Sequence, residues 1–182
     1  VYYSETSENF LALIKKEGGY TLEETEVFFE KVNDPILDAE NEKTGTRVYT
    51  ERDNDVIVLL DQSFQYSVEK NIEASFQVPM KINQSRLINF KLGNNTVLKT
   101  EDHALWIKKG EHKQELSKIY PEDSDESLTI VFAGDLDNDG QTDLFVNDIF
   151  HYNVWINYRL FLSSYAEEGQ ILNEVVKLTG VG

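Results

Sequence analysis

The chain has 182 residues, which suits one domain with one ordinary hydrophobic core. Its 33 Asp and Glu against 17 Lys and Arg give a net charge of −16, which repels phosphates and anionic membranes, so we expect no nucleic-acid partner. The absence of cysteine excludes disulfides, thiolate catalysis and Cys-ligated metal sites.

The start of the chain bears on localisation. The sequence begins at Val1 and has neither the apolar region of a signal peptide nor an apolar run of about 18 residues that spans a bilayer. We therefore expect no transmembrane segment. We also expect a mature or trimmed form of a longer protein, from which a secretion signal or a lipid anchor would have been removed.

Short runs of aromatic and β-branched residues, separated by Gly, Asn, Asp and Pro, predict a mostly β chain. Residues 10–14 and 20–32 flank a charged turn with two glycines at 15–19, so we predict an opening hairpin. An amphipathic helix over residues 6–16 is the alternative. Residues 33–47 are polar and rich in turn formers, which indicates a loop rather than a domain boundary.

The middle of the chain continues the alternation of strands and turns. The apolar run at residues 56–60 predicts a strand buried on both faces, whereas residues 76–82 and 87–92 predict half-exposed strands. Pro79 would place its strand at an edge or a bulge, because proline has no amide hydrogen to donate. A second hairpin is predicted through residues 109–111.

The last third of the chain completes the predicted fold. Further strands are predicted at residues 128–133, 144–146, 153–163 and 171–178, with turns at residues 93–95 and 166–169. The regular spacing of turns predicts an antiparallel β-sandwich or barrel-like single domain over residues 1–182.

The strongest chemical signal lies in residues 135–143. Carboxylates occupy positions 1, 3, 5 and 9 of this loop, and Gly140 at position 6 allows a sharp backbone reversal. Alternate oxygen ligands at this spacing can converge on one hard divalent cation. The predicted metal ligands are the side chains of Asp135, Asp137, Asp139 and Asp143 and the carbonyl of Gln141.

The chemistry of these ligands favours calcium. Calcium accepts six to eight oxygens, whereas magnesium retains its water and zinc prefers His or Cys. An EF-hand is a poorer description, because position 12 is Val146 rather than a bidentate Glu and the flanking segments are predicted as strands. We therefore predict a strand–loop–strand calcium turn, with an ion-free, solvated Asp-rich turn as the alternative.

A family resemblance covers this loop. The sequence FAGDLDNDG at residues 132–140, followed by DL at 143–144, resembles an FG-GAP repeat, the calcium-loop motif of integrin-type β-propellers. Propellers stack at least four blades, whereas this chain has one copy, so the resemblance implies a calcium loop and not a propeller. Asn138 stands where the family usually has glycine.

A second resemblance extends over residues 129–166. This stretch is similar to a group of uncharacterised bacterial secreted proteins, in which the loop is followed by His-Tyr-Asn, here residues 151–153, and by a Leu-Phe-Leu-Ser-Ser strand, here residues 160–164. The resemblance implies export to the periplasm or the extracellular space and calcium binding. It implies no catalytic activity.

Two other functions remain as alternatives. Asp148 and His151 would form an acid–base pair beside the metal in a hydrolase of cell-envelope polymers, whereas a structural role for His151 at the loop's exit is the simpler interpretation. Exposed aromatic residues would line a carbohydrate-binding module, although strand aromatics are usually core. The aromatic candidates are Trp106, Trp155, Tyr152 and Tyr158.

The function that the sequence favours is an exported, non-enzymatic calcium-binding domain with a structural, adhesive or ligand-binding role. Its expected partners are a calcium ion and a protein or carbohydrate ligand. Asp53, Asp55, Asp123 and Asp125, together with His103 and His112, are predicted to occupy solvated surface positions, because their spacing matches no metal or catalytic pattern.

Overall fold

The computed structural model describes residues 8–34, 38–40, 42–50, 56–60, 66, 71–150 and 155–181. Every regular element in this part of the chain is a β-strand, and neighbouring strands in its sheets run antiparallel. The mostly β, antiparallel fold class predicted from the sequence is therefore confirmed. The described residues contain no helix long and apolar enough to cross a membrane.

The chain divides into two compact units, Val1–Asn71 and Ile72–Gly182, with the short strand β5 (Asn71–Ile72) at the boundary. The single domain over residues 1–182 stays a prediction. The first unit contains β1 (Glu8–Lys16), β2 (Gly19–Val32), β3 (Gly45–Thr50) and β4 (Val56–Leu60). These strands form a sheet in the order β3-β2-β1-β4.

The opening hairpin is confirmed, because Lys16 pairs with Gly19 across a two-residue loop. Gly18 in that loop has φ +91°, which glycine adopts without a steric penalty. The helix considered for residues 6–16 is therefore wrong over its described part, since β1 occupies residues 8–16. The predicted loop at 33–47 is three residues too long, because β3 begins at Gly45.

The strand predicted at residues 56–60 forms, as β4, but its burial was predicted wrongly. Only Leu60 is buried, and the four preceding residues are partly exposed. Among the described strands, β4 is the last in the order β3-β2-β1-β4, so no described strand pairs with its outer edge. An apolar run alone does not distinguish a central strand from an edge strand.

The described part of the second unit contains two sheets. The four-stranded sheet is a meander of β7 (Asn89–Gly93), β8 (Thr96–Glu101), β9 (Ala104–Lys109) and β10 (His112–Lys118). The five-stranded sheet has the order β14-β13-β12-β11-β6. Its strands are β6 (Met80–Ile82), β11 (Ser127–Gly134), β12 (Asp143–Phe150), β13 (Trp155–Leu162) and β14 (Asn173–Val181).

Two-residue loops of similar geometry connect β7 to β8 and β8 to β9. Asn94 and Asn95 have φ of 46° and 58°, and Asp102 and His103 have φ of 50° and 58°. Two successive residues with positive φ match the twist of antiparallel strands, and Asn and Asp tolerate this region better than most residues. The turn predicted at residues 93–95 and the hairpin predicted through residues 109–111 are both confirmed.

Strand β11 lies between β12 and β6 and carries much of the core of the second unit. Leu128, Ile130 and Phe132 are all fully buried. The half-exposed strand predicted at 76–82 is wrong for residues 76–79, because β6 begins only at Met80, after Pro79, which has no amide hydrogen. The register of β11 and β12 fixes where the chain enters and leaves the Asp-rich loop.

Candidate metal centre

The loop of residues 135–142 connects β11 to β12, and Gly134 pairs with Asp143 at its base. The predicted strand–loop–strand arrangement is therefore present. A Cβ atom on Gly134 would lie 2.6 Å from Phe132 Cζ and 2.7 Å from the carbonyl oxygen of Glu73, both closer than carbon atoms tolerate. Glycine is required at this position because the chain enters the loop through a tightly packed point.

Three of the predicted ligands converge. One carboxylate oxygen from each of Asp135, Asp137 and Asp143 lies within 4.8 Å of the others, an arrangement that could hold a metal ion. Asp135 and Asp137 are partly exposed, whereas Asp143 is fully buried. Asp139 lies outside this group of three at that distance.

Backbone amides of the loop hold its first carboxylate in place. The amide of Asp139 donates to Asp135 Oδ1 at 3.0 Å and, in a shared hydrogen bond, to Asp137 Oδ1 at 3.2 Å. The amide of Gly140 donates to Asp135 Oδ2 at 3.0 Å. The chain can turn its amides inward because Asn138 and Gly140 have φ of 64° and 82°.

Both carboxylate oxygens of Asp143 are held by backbone amides, one from the loop and one from the residue after β13. Its Oδ2 accepts from the amide of Leu136 at 2.8 Å, and its Oδ1 accepts from the amide of Ser163 at 2.8 Å. Burial, reinforced by the negative charge of Asp137, raises the pKa of Asp143 to about 7, although these hydrogen bonds oppose the shift. Burial is also the main reason that the pKa of Asp137 is raised.

Gln141 contacts Asp139 twice. Its backbone amide donates to Asp139 Oδ1 at 2.7 Å and its side-chain Nε2 donates to Asp139 Oδ2 at 3.2 Å. Lys109 Nζ donates in turn to Gln141 Oε1. These contacts fix the side chains at positions 5 and 7 of the loop, whereas coordination by the Gln141 carbonyl stays a prediction.

Two serines that the sequence analysis gave no role in the site reach three of the four carboxylates. Ser163 Oγ lies 2.7 Å from Asp139 Oδ2 and 3.1 Å from Asp143 Oδ1, and Ser164 Oγ donates to Asp137. Both follow β13, whose register places Phe161 opposite Leu144. A sequence-based prediction that β12 pairs with β13 would have placed these two serines beside the start of β12.

The four-stranded sheet also contacts the loop. Asn94 Nδ2 donates to the carbonyl oxygen of Gly140 at 2.9 Å, so the β7–β8 turn supports the exposed tip of the loop. Near its base, Ser75 Oγ lies 3.1 Å from Thr142 Oγ1. The loop is therefore held by residues distant in sequence as well as by its own amides.

Of the other residues considered from the sequence, the structure describes Asp148, His103, His112, Asp123 and Asp125. Asp148 is buried, and its Oδ2 accepts from Ser117 Oγ at 3.3 Å. His151, its suggested partner, lies outside the described residues, as do Tyr152, Asp53 and Asp55. His103, His112, Asp123 and Asp125 are exposed, as predicted.

The aromatic candidates for carbohydrate binding do not form one described surface. The ammonium of Lys113 lies 3.9 Å from the centroid of the Trp106 ring. Trp106 Nε1 donates a hydrogen bond to the carbonyl oxygen of Glu101. Tyr158 is 39% exposed and stacks on Phe145 with ring centroids 6.0 Å apart. The side chain of Trp155 lies outside the described residues.

Comparison with known proteins identifies no relative of this chain. The chain matches no protein-family model, no curated protein and no solved structure. The arrangement of the loop and the chemistry of its oxygen ligands therefore carry the functional argument.

Proposed function

We propose that residues 135–143 bind a calcium ion and that the ion stabilises the second unit of an exported, non-enzymatic domain. The observation that carries this proposal is the convergence of Asp135, Asp137 and Asp143, whose carboxylate oxygens lie within 4.8 Å of one another. The loop's own amides hold two of these carboxylates, so the ligands are positioned before an ion arrives.

Electrostatic repulsion makes a cation favourable at this point. When all three carboxylates are ionised, each of the three pairs within 4.8 Å repels by at least about 3 kcal/mol at an effective dielectric constant of about 20. A divalent cation replaces this repulsion with attraction. The cation stabilises the ionised form of the fully buried Asp143 most, because water does not screen its charge.

The ligand set fits calcium better than magnesium or zinc. The converging groups are carboxylates, and the loop contains neither His nor Cys, so zinc would lack its preferred ligands. Asp139 and the Gln141 carbonyl would bring further oxygens toward the six to eight that calcium takes. The resemblance of residues 132–144 to an FG-GAP repeat supports the same assignment.

The proposed setting is the periplasm or the extracellular space. Calcium sites of extracellular modules work at the higher calcium concentrations found there, and the resemblance to bacterial secreted proteins supports export. In this role the ion would fasten the β11–β12 connection of a structural or adhesive domain, which would present its surface to a protein or carbohydrate ligand.

Thermal unfolding tests the proposal. At a free calcium concentration of about 100 times the dissociation constant, binding stabilises the folded chain by about 2.7 kcal/mol, which raises the melting temperature of a protein this size by roughly 5–10 °C. Excess chelator should reverse the rise, and equimolar magnesium should reproduce little of it. Equal melting temperatures in saturating calcium and in chelator would overturn the stabilising role.

A further inference from the structure

We infer that Ser163 and Ser164 are positioning residues of the calcium site, which set its affinity by holding three of its carboxylates. This inference rests on the proposed calcium binding. Ser163 Oγ reaches Asp139 Oδ2 at 2.7 Å and Asp143 Oδ1 at 3.1 Å, and Ser164 Oγ donates to Asp137. Neither serine belongs to the loop.

The sheet brings the two serines to the site. β13 ends at Leu162 and pairs with β12, which begins at Asp143, so the residues just after β13 arrive beside the base of the loop. Ser163 is 8% exposed, and its backbone amide also donates to Asp143 Oδ1 at 2.8 Å. The end of β13 and the amide hydrogen bond thus fix the backbone from which the buried Ser163 hydroxyl reaches the two carboxylates.

The Ser163 hydroxyl has more carboxylate neighbours than hydrogens to donate, and the proposed ion would relieve this mismatch. A serine hydroxyl has one hydrogen to donate, yet two carboxylates lie within hydrogen-bonding distance of Ser163 Oγ. When Asp139 and Asp143 are both ionised, one of these contacts places two oxygen lone pairs against each other. A cation bound by Asp143 would offset that repulsion and leave the hydroxyl free to donate to Asp139, which orients both carboxylates.

The consequence is a defined effect on calcium affinity. Removing a group that orients a metal ligand typically weakens metal binding by about 10–100-fold. We expect Ser163→Ala to weaken calcium binding by about tenfold or more. Ser164→Ala should weaken binding less, because Ser164 is exposed and contacts one carboxylate in place of two.

Calcium titration of the full chain by isothermal calorimetry tests this inference, at a temperature where each variant is folded. Ser163→Thr keeps the hydroxyl and should retain most of the affinity. Ser75→Ala is the matched control, because Ser75 Oγ contacts Thr142 Oγ1 in the same loop but no carboxylate. The control should bind calcium within about twofold of the unmodified protein, since it removes no ligand-orienting contact.

The outcomes separate the positioning role from the calcium site itself. Weaker binding by Ser163→Ala and Ser164→Ala, with near-normal binding by Ser163→Thr and Ser75→Ala, supports the inference. Unchanged calcium affinity in Ser163→Ala and Ser164→Ala overturns the positioning role and leaves the proposed function intact. A loss of affinity in Ser75→Ala equal to that in Ser163→Ala has the same meaning. Failure of the unmodified protein to bind calcium overturns both.

Discussion

The backbone amide of Leu136 donates a hydrogen bond of 2.8 Å to Asp143 Oδ2, which joins the second residue of the segment 135–143 to its last. The Leu136 side chain is 1% exposed, so the same residue anchors the loop in the core. Because Asp143 also begins β12, the hydrogen bond ties the loop to the sheet. The loop is therefore shaped by the fold and does not depend on the ion alone.

Replacing Leu136 with alanine should destabilise the protein and weaken calcium binding. Large-to-small substitutions of a buried leucine remove about 2–5 kcal/mol from the free energy of unfolding. Leu178, which is 63% exposed, provides the control, and Leu178→Ala should change stability by less than about 0.5 kcal/mol. Urea unfolding in calcium measures the free energy of unfolding of both variants. Equal losses of that free energy would contradict the anchoring role of Leu136.

Replacing Asp137 with asparagine should abolish the effect of calcium on stability. The change removes one of three converging negative charges and an anionic ligand, while the chain keeps a side chain of nearly the same shape. Melting temperatures with calcium and with chelator should then become nearly equal. Asp125→Asn, at an exposed carboxylate outside the loop, should retain the full difference. A full calcium effect in Asp137→Asn would argue against this ligand.

The two glycines around the loop should respond differently to alanine. A Cβ on Gly134 would meet Phe132 Cζ at 2.6 Å and a backbone oxygen at 2.7 Å, so Gly134→Ala should be severely destabilising. Gly140 has φ +82° and open space around it, so Gly140→Ala should cost only the backbone strain, about 1–3 kcal/mol. Chemical unfolding in chelator compares them, and a larger loss for Gly140→Ala would refute this explanation.

Asp148 should make stability depend on pH. Burial raises the pKa of its carboxyl, while the charges of Arg159 and Lys177 and hydrogen bonds from Tyr120 and Ser117 act in the opposite direction. Burial and the charge of Asp148 also raise the pKa of Tyr120 to about 12, so the phenol stays neutral at ordinary pH. Asp148 is therefore the group in this cluster whose charge changes under acidic conditions.

The sign of the effect follows from the raised pKa. An unfolded Asp ionises near pH 3.9, below the pKa of folded Asp148, so ionisation favours the unfolded chain as the pH rises through this interval. Asp148→Asn should therefore gain stability relative to the unmodified protein between about pH 4 and pH 7. Urea unfolding at about pH 4 and at about pH 7 measures the difference in the free energy of unfolding between the variant and the unmodified protein. A difference that does not change with pH would contradict the raised pKa.

The sequence was sufficient for the local features of the site. Alternate carboxylates and Gly140 predict the loop, and strand-forming residues on both sides predict its strand–loop–strand context. Both follow from short-range spacing, which a sequence displays directly. The pairing of Gly134 with Asp143 agrees with that prediction.

The missed features depend on contacts between residues distant in sequence. Ser163 reaches Asp143 only because β13 pairs with β12, and Asn94 reaches Gly140 because the β7–β8 turn lies beside the loop. The exposure of β4 likewise depends on its place at the end of a sheet. Spacing along the chain does not encode which strands become neighbours, so these features required the structure.

Equilibrium dialysis against radioactive calcium tests the central claim most directly, because it counts bound ions without relying on a change in stability. We expect the unmodified protein to bind about one ion per chain at millimolar free calcium, and Asp137→Asn to retain no calcium above background. Failure of the unmodified protein to retain calcium, or equal binding by Asp137→Asn, would contradict a calcium site at residues 135–143.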